Sequence, residues 1–513
     1  RPARSPAGRR RRARSSTGLT VTAVEYASSR GRWVLVATVL GSGLAAIDAT
    51  VVGIALPEIG RGFHVGLDRL QWIVTGYTLT LAGLLLVGGA LGDRYGRRRI
   101  FVVGVVWFAL ASLLCGLAPN ATTLIAARAL QGAGAALLTP SSLAVIEATF
   151  SPTDRSRAIG AWSGLGGLAT AIGPFLGGWL ITAISWRYIF LINLPLAAAV
   201  IWICLRRVPE TRDVDVTGRI DLVGGLLVTA SLVGLCFGLT EGSLLGWRSA
   251  PVVGALVAGM ILLAAFVRWE RRVPHPLLPL DMFASRRFSG TNAVTFIVYG
   301  ALGAVLFLLP IELQQVSGYS ALESGTALLP VTVIMLLLSA RSGILASRIG
   351  PRPQMTVGPL LVGAGVVLLS RVGTEGNYLT RVLPAVVVFG LGLATTVAPL
   401  TATALGSVRP GRSGIASAIN NDVARAGALI AIAVLPAAAG IGQLTYLDPT
   451  AFAAGFRYAC YLAAAVCAAG GLLAAVTVGR RESRRPAFSC EEFQCGLDGP
   501  PLRPSADREP MRT

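Results

Sequence analysis

Long apolar runs separated by short polar segments make up most of the chain between residues 33 and 478. We count fourteen such runs, of roughly 18 to 25 residues, and each is long enough to cross about 30 Å of hydrocarbon as an α-helix. The strict alternation of apolar and polar residues that a transmembrane β-barrel needs does not occur in them. The pattern therefore predicts an all-α polytopic membrane protein with fourteen spans.

Composition and charge agree with this prediction. Hydrophobic residues make up 53% of the 513 residues, charged residues 14%, and the formal net charge is +20. All 45 basic residues are arginine, and most fall in the tails and in the loops on one side of the predicted bundle. Because cytoplasmic loops of membrane proteins are rich in basic residues, this asymmetry predicts a plasma-membrane protein with both termini in the cytoplasm.

The run RRRRAR at residues 9–14 is the densest cluster of charge. Polybasic segments beside a membrane bind anionic lipid, and elsewhere they bind RNA. No aromatic residues interleave with these arginines, and no folded module surrounds them. We therefore favour a tail that faces the lipid bilayer, and we expect no nucleic-acid partner.

Two polar connecting segments divide the predicted spans into two blocks of six, with two extra spans between them. The loop GGALGDRYGRRR at 88–99 has a weaker echo, SGILASRIGPRP at 342–353, and each follows the second span of a block. Such internal duplication is typical of secondary transporters. The predicted division is an Arg-rich cytoplasmic tail 1–32, an N-terminal six-helix bundle 33–207, two linker helices with flanking loops 208–287, a C-terminal six-helix bundle 288–478 and a cytoplasmic tail 479–513.

The loop 88–99 combines one acid with glycines and arginines at close spacing. We expect the Asp93 carboxylate to cap or face the positive N-terminus of a neighbouring helix, and the glycines to let backbones approach closely. A plain topology anchor is the alternative, since arginines alone would hold the loop in the cytoplasm. The candidate residues of this loop are Gly89, Asp93, Arg94, Gly96, Arg97 and Arg98.

Two ionisable residues lie inside predicted spans at matching depth. Asp48 is about eight residues from the outer end of the first span and Arg128 about six from the outer start of the fourth. Both therefore lie on the order of 10 Å below the outer face, where they can meet. Charged groups in the membrane are costly and usually functional. We predict that Asp48 binds a proton or cation and that Arg128 tunes it; a static ion pair between two helices is the alternative.

Other candidates lie in the fifth, ninth and thirteenth spans. The pair Gly173–Pro174 is expected to bend the fifth span, and Gly177 and Gly178 to pack tightly against a neighbouring helix. A second group is expected near a substrate cavity. It comprises Asn420, Asn421, Asp422, Arg425 and Glu312. Alternatively, Asp422 and Arg425 neutralise each other at i, i+3, and Glu312 forms part of an interfacial rim.

Five segments resemble the major facilitator superfamily, and within it the drug:proton antiporters with fourteen spans. The loop 88–99 fits the cytoplasmic loop motif of the superfamily. The other four are similar to motifs of the antiporters: AIDATVVGIALP at 46–57, RALQGAGAALLTPSS at 128–142, GPFLGG at 173–178 and WRYIFLINLP at 186–195. The chain departs from the antiporter pattern at Gly53, where Asn is usual, at Ala169, where Gly is usual, and at Glu312, where an aromatic residue is commoner.

The resemblance implies a major facilitator fold of two six-helix bundles plus two extra helices. It implies that the loop 88–99 latches the two bundles in one transport state and that GPFLGG is associated with antiport. It also implies proton-driven efflux of lipophilic or cationic drugs, antibiotics or secondary metabolites, with the proton gradient as energy source and no cofactor.

Two other function classes remain as alternatives. A proton symporter or importer of a small amphipathic solute would use the same scaffold. A membrane-embedded enzyme is less favoured, because the only histidines, His64 and His275, fall on opposite sides of the predicted membrane. No P-loop motif indicates ATP-driven pumping, and no metal site is expected. We expect a monomer that binds a small-molecule drug or metabolite and protons.

Overall fold

The computed structural model of the chain describes residues 24–212, 220–373, 377–408 and 412–479. Within them, fourteen helical segments are long and apolar enough to cross a membrane, which confirms the predicted number of spans. The arginine run 9–14 and residues 480–513 of the predicted C-terminal tail lie outside the described residues.

The described part of the chain has seventeen α-helices, and all except the short α16 belong to these spans. In chain order they are α1 Ser29–Phe63, α2 Leu67–Tyr95, α3 Arg97–Gly116, α4 Ala121–Thr149, α5 Pro152–Ala183, α6 Tyr188–Leu191, α7 Asn193–Arg207, α8 Leu222–Leu245, α9 Ala250–Glu270, α10 Arg286–Ile311, α11 Ala321–Ala327, α12 Leu329–Ile349, α13 Pro351–Leu369, α14 Leu383–Gly406, α15 Ser413–Ala438, α16 Gln443–Leu447 and α17 Pro449–Thr477. A short 3₁₀ turn precedes α10, and π-helical turns extend α10 and begin the span of α14.

Two spans are built from two helical pieces each, which the apolar runs did not reveal. One consists of α6 and α7, and the other of α11 and α12. The start of α11 is fixed by a capping box, in which Ser320 and Glu323 exchange side-chain and backbone hydrogen bonds. The proline in the first turn of α12 then begins a new helix after Leu328.

For description, we call the helices of residues 29–207 the N-half and those of residues 286–477 the C-half. The terminal face is the end of the bundle where α1 begins and α17 ends, and the far face is the opposite end. Three glutamine amides join the two halves near the far face: Gln71 Nε2 donates to Ile432 O (2.7 Å), Gln314 Nε2 to Ile54 O (2.9 Å) and Gln443 Nε2 to Asp68 Oδ1 (3.1 Å).

The halves are separated towards the terminal face. A Cβ atom added at any of five glycines there would meet no atom within 4 Å; these are Gly160, Gly164, Gly166 and Gly167 of α5 and Gly343 of α12. Helix α12 also carries exposed apolar side chains along this stretch, including Leu336 and Ile344. The bundle is therefore closed at the far face and open at the terminal face.

The two extra spans lie beside the junction of the halves. Helix α8 packs against α2 and α15, and α9 packs against α8. A small apolar cluster joins all three parts through Leu79 of α2, Cys236 of α8 and Leu429 of α15. Trp72 Nε1 also donates to Glu241 Oε1 at 2.8 Å. The pair α8–α9 thus contacts the N-half and the C-half through α8.

Candidate functional site

The predicted contact between Asp48 and Arg128 is confirmed. Arg128 Nη1 of α4 donates to Asp48 Oδ2 of α1, and both residues are 1% exposed. Asp48 lies in the middle of α1, which continues through Pro57 to Phe63, so the helix extends seven residues beyond the predicted end of its apolar run. An ion pair this deep is costly to desolvate, and it persists only where further hydrogen bonds satisfy both groups.

Uncharged side chains from three helices supply those hydrogen bonds. Gln131 Nε2 donates to Asp48 Oδ1 at 2.8 Å, and Asn193 Nδ2 donates to the same oxygen at 3.4 Å. Both amides also donate to Ser112 Oγ, at 2.7 and 3.1 Å. Gln131, Asn193 and Ser112 are each 0% exposed. We did not single out these residues from the sequence, although Gln131 at i+3 from Arg128 was a usable signal.

Tyr77 of α2 links the ion pair to the interior of the bundle. The Arg128 guanidinium carbon lies 4.2 Å from the centre of the Tyr77 ring, and Arg128 Nε donates to Ile73 O at 3.2 Å. Such a cation–π contact is most favourable when both groups are desolvated, as they are here. Tyr77 also lines a cavity, so a ligand there would touch a side chain that contacts Arg128.

The cavity has a volume of about 280 Å³ and lies mainly within the N-half. Three polar atoms of its lining residues have no hydrogen-bond partner among the described residues: Trp162 Nε1, Thr139 Oγ1 and Arg425 Nε. Its lining residues are Ser42, Ala45, Ala46, Ala49, Tyr77, Leu81, Thr139, Trp162, Ser163, Gly166, Thr170 and Arg425. The cavity therefore combines small apolar and hydroxyl side chains with one guanidinium from the C-half.

The predicted cavity residues of α15 separate into different environments. Arg425 lines the cavity, but Asn420 does not: its amide donates to Asn292 Oδ1 at 3.0 Å and to Thr295 Oγ1 at 2.8 Å, and so joins α15 to α10. Asn421 is exposed, and it donates to Ser417 O one turn earlier. Asn420 therefore packs between two helices and does not line this cavity, because its buried amide has partners on a neighbouring helix.

Two further expectations for this group also need correction. Within the described residues, Asp422 and Arg425 make no ion-pair contact, although the charge of Arg425 still acts on the Asp422 carboxyl. Arg425 lines the cavity, and Asp422 Oδ1 has no hydrogen-bond partner in this part of the chain. Glu312 belongs neither to an exposed rim nor to the residues lining this cavity. It is 1% exposed in the π-helical turn after α10. The neighbouring Gln314 makes the contact with the N-half.

The glycines of GPFLGG pack closely, as predicted for Gly177 and Gly178, and they do so against two different helices. A Cβ at Gly173 would lie 2.2 Å from Thr50 Oγ1, and one at Gly177 would lie 2.6 Å from Val51, both on α1. A Cβ at Gly178 would lie 2.7 Å from the backbone of α11 in the C-half. The motif therefore forms a seam that joins α5 to α1 on one side and to the C-half on the other.

In the loop 88–99, the close approach occurs one residue earlier than predicted. A Cβ at Gly88 would lie 2.1 Å from Ala136 O of α4, whereas one at Gly89 would have only an ordinary contact with Pro140 at 3.7 Å. Gly96 is required for a different reason, because its φ of 112° is rarely adopted by other residues. The corresponding residue of the echo, Gly350, has a φ of 85° and likewise precedes a helix.

The anion at the start of α3 is Glu210 and not Asp93. Glu210 Oε1 accepts from the backbone N–H of Arg98 at 3.1 Å, whereas Asp93 Oδ1 accepts from the side chain of Arg97 at 2.9 Å. Arg98 Nη1 also donates to Val208 O at 3.0 Å. These contacts join the loop to the segment just after α7, which returns to it, and none of them reaches the C-half.

Replacement of Gly96 by alanine is expected to destabilise the protein by about 1–2 kcal/mol, because the left-handed backbone conformation disfavours a Cβ. That Cβ would also lie 2.6 Å from Glu210 Oε1. Thermal unfolding of the purified variant measures this effect. Gly89→Ala is the control and should unfold near the temperature of the unaltered protein; equal losses in both variants would contradict this explanation.

Known proteins match the chain over most of its length. The sequence model of the Major Facilitator Superfamily matches residues 38–433. The puromycin resistance protein of Streptomyces alboniger is 37% identical over 429 residues, which cover 81% of this chain and 84% of that protein. The tetracenomycin C resistance and export protein of Streptomyces glaucescens is 35% identical, covering 79% and 76%, and the methylenomycin A resistance protein of Bacillus subtilis is 33% identical, covering 85% and 92%.

A solved structure agrees at the level of the fold. The crystal structure of a bacterial homologue of the human lysosomal transporter Spinster, in an inward-facing and unoccupied conformation, has a TM-score of 0.62 and 18% identity, and covers 88% of this chain and 98% of that one. Together with the fourteen helices, the buried ion pair and the family match, this identifies a multi-pass membrane transporter and not an enzyme: the chain belongs to the Major Facilitator Superfamily.

Proposed function

We propose that the protein exports lipophilic antibiotics or related metabolites in exchange for protons across the bacterial plasma membrane. Both termini are assigned to the cytoplasm, the protein acts as a monomer, and the proton gradient is its only energy source. The observation that carries the proposal is the buried pair of Asp48 and Arg128, joined through Tyr77 to a cavity. The relatives named for resistance and export support the direction of transport.

Proton coupling follows from the chemistry of the pair. A proton on Asp48 removes one of two opposite charges and leaves the buried Arg128 guanidinium without its anion. Leaving one partner of a buried ion pair uncompensated is strongly unfavourable, so protonation favours a rearrangement around Arg128. Tyr77 contacts Arg128 and lines the cavity, and it therefore carries this rearrangement to the substrate.

Alternating access requires the closed far face to open. With the termini in the cytoplasm, the arrangement described above is the inward-facing state, ready to receive a substrate. Opening to the outside breaks the bonds made by Gln71, Gln314 and Gln443 and closes α5 against α12. Such rocking of two halves about a central site is the general behaviour of inverted-repeat transporters.

The cavity favours lipophilic molecules that carry hydrogen-bond acceptors. In the part of the chain that the structure describes, Trp162 Nε1 and Arg425 Nε are donors without partners, and most of the surrounding side chains are small or apolar. An unpartnered donor in a desolvated site strongly favours a ligand that satisfies it. Arg425 also disfavours a plain cation in this cavity, so cationic drugs form the weaker part of the proposal.

Inside-out vesicles with an acidic interior test the proposal. Addition of puromycin or tetracenomycin C is expected to raise the interior pH in vesicles that contain the protein, and not in empty vesicles. A compound that is taken up without any change of the pH gradient would reject proton coupling. A rise of interior pH that accompanies substrate leaving the vesicle would instead indicate a symporter that imports.

A further inference from the structure

The outward surface of α9 carries a groove that the transport site does not use. Its lining residues follow a single helical stripe with a volume of about 510 Å³: Met260, Leu263, Ala264 and Val267, followed by Arg268, Arg271 and Arg272. The spacing of three and four residues places them on one face of the helix. The stripe is thus apolar along the middle of α9 and cationic at its terminal-face end.

At this end of α9, the arginine side chains point outward and the nearby acidic side chains point inward. Arg268, Arg271 and Arg272 are exposed, and no ion pair joins them to an acid in the described part of the chain. Two acids near them in the described part of the chain are turned inward and nearly buried. Glu270 Oε2 accepts from the backbone N–H of Leu278 at 3.0 Å, and Asp221 Oδ1 accepts from Trp269 Nε1 at 2.8 Å. Among the described residues, three guanidinium groups are therefore left without an acidic partner.

The apolar part of the stripe lies at the edge of the bundle. Helix α9 packs against α8, and only 17% of its most apolar stretch of 18 residues is buried inside the protein. Met260 remains 58% exposed, although it lies in the middle of a membrane span. Trp269 is 38% exposed beside the arginines, at the level where aromatic side chains meet lipid headgroups. The surroundings of the groove are therefore hydrocarbon along its length and headgroups at its end.

We propose that this groove is a binding site for an anionic phospholipid. The phosphate is held by Arg268, Arg271 and Arg272, and one acyl chain lies along Met260 to Val267. Basic pockets on transmembrane helices bind acidic headgroups in this way, and guanidinium groups pair with phosphate through two hydrogen bonds at once. A phospholipid has an anionic headgroup joined to long apolar chains. These two parts match the cationic end and the apolar middle of the stripe in the same order.

A second copy of the chain fits the groove less well than a lipid. A two-fold contact between copies places the same patch on both sides of the interface. Here it would bring six arginines together without a carboxylate among them, which like-charge repulsion opposes. The site is independent of the transported compound and of proton coupling.

Lipid titration of the purified full-length protein, followed by native mass spectrometry, tests this site. We expect tighter binding of phosphatidylglycerol than of phosphatidylcholine with the same acyl chains. The triple variant R268Q/R271Q/R272Q should bind phosphatidylglycerol about tenfold more weakly, since each arginine near a membrane surface contributes to the attraction. Ala264→Trp keeps the three charges and fills the groove, and it should also weaken binding.

A charge-matched control separates this site from the general charge of the terminal face. The variant R155Q/R286Q/R341Q removes three exposed arginines from α5, α10 and α12, and it should change the affinity less than twofold. Equal losses in the two triple variants, or no preference of the native protein for phosphatidylglycerol, would overturn the proposal. A dimer that disappears in R268Q/R271Q/R272Q would also overturn it, and would assign the stripe to contact between copies.

Discussion

Replacement of Asp48 by asparagine is expected to abolish proton-coupled export. The amide cannot exchange a proton, and Arg128 loses its anion in a site where both residues are 1% exposed. Removing one partner of a buried ion pair costs about 3–5 kcal/mol, although here the neighbouring amides of Gln131 and Asn193 can reorient. In acid-loaded inside-out vesicles, a known substrate should no longer raise the interior pH.

The variant should still exchange substrate down its own concentration gradient if it folds, and this separates lost coupling from lost structure. Glu241→Gln is the matched control, because Glu241 is another acid within a span and pairs with Trp72 away from the ion pair. It should retain the pH response. A full pH response in Asp48→Asn would place the proton site elsewhere, with Asp422 and Glu312 as the next acids to test.

Gly178→Ala is expected to prevent closure of the far face. The added methyl group would lie 2.7 Å from Ala321 O and from Leu322 Cα, and these backbone atoms cannot turn aside as a side chain can. Overpacking of a tight contact typically costs about 1–3 kcal/mol, and here the cost is greatest in the closed arrangement, before α5 turns away from α11. The equilibrium between the inward-open and outward-open states should shift towards the outward-open state, and export should fall by at least about tenfold.

Spin labels on Ile184→Cys and Leu447→Cys would report the separation of the two halves at the far face. Both positions are exposed, and Cys490 and Cys495 would first be replaced by serine so that only buried cysteines remain. Gly178→Ala should lengthen this distance. Gly254→Ala places the same methyl group in open space on α9, away from the surfaces that close, and it should leave both distance and export unchanged. An unchanged distance in Gly178→Ala would falsify the role of this contact.

The lengths of the apolar runs alone were enough to predict the number of spans. A membrane helix makes all of its backbone hydrogen bonds internally, so it needs only about 20 apolar residues to cross the bilayer. Counting residues from the span ends was also enough to bring Asp48 and Arg128 together. Charged residues in a span are rare, so two at similar depth on neighbouring helices have few other partners.

The surroundings of the pair could not be predicted in the same way. Gln131, Ser112 and Asn193 are uncharged residues of apolar spans, and their function depends on which faces of three helices meet. Glu210 caps α3 only because the chain returns after α7 to the loop of Gly96. Glu312 lies at the end of an apolar run, where the sequence alone suggests exposure, but the π-helical turn continues the helix and buries it.

The seam at Gly178 has a mechanical consequence, because it divides α5 very unequally. Five residues, or about 8 Å of helix, lie between Gly178 and the far end at Ala183, whereas 26 residues, or about 39 Å, lie between Gly178 and Pro152. If α5 pivots there, it acts as a lever with a gain of about five, so that a shift of about 1 Å at its short arm moves its long arm by about 5 Å. Repacking of a few atoms around one glycine then suffices to admit or expel a molecule the size of an antibiotic.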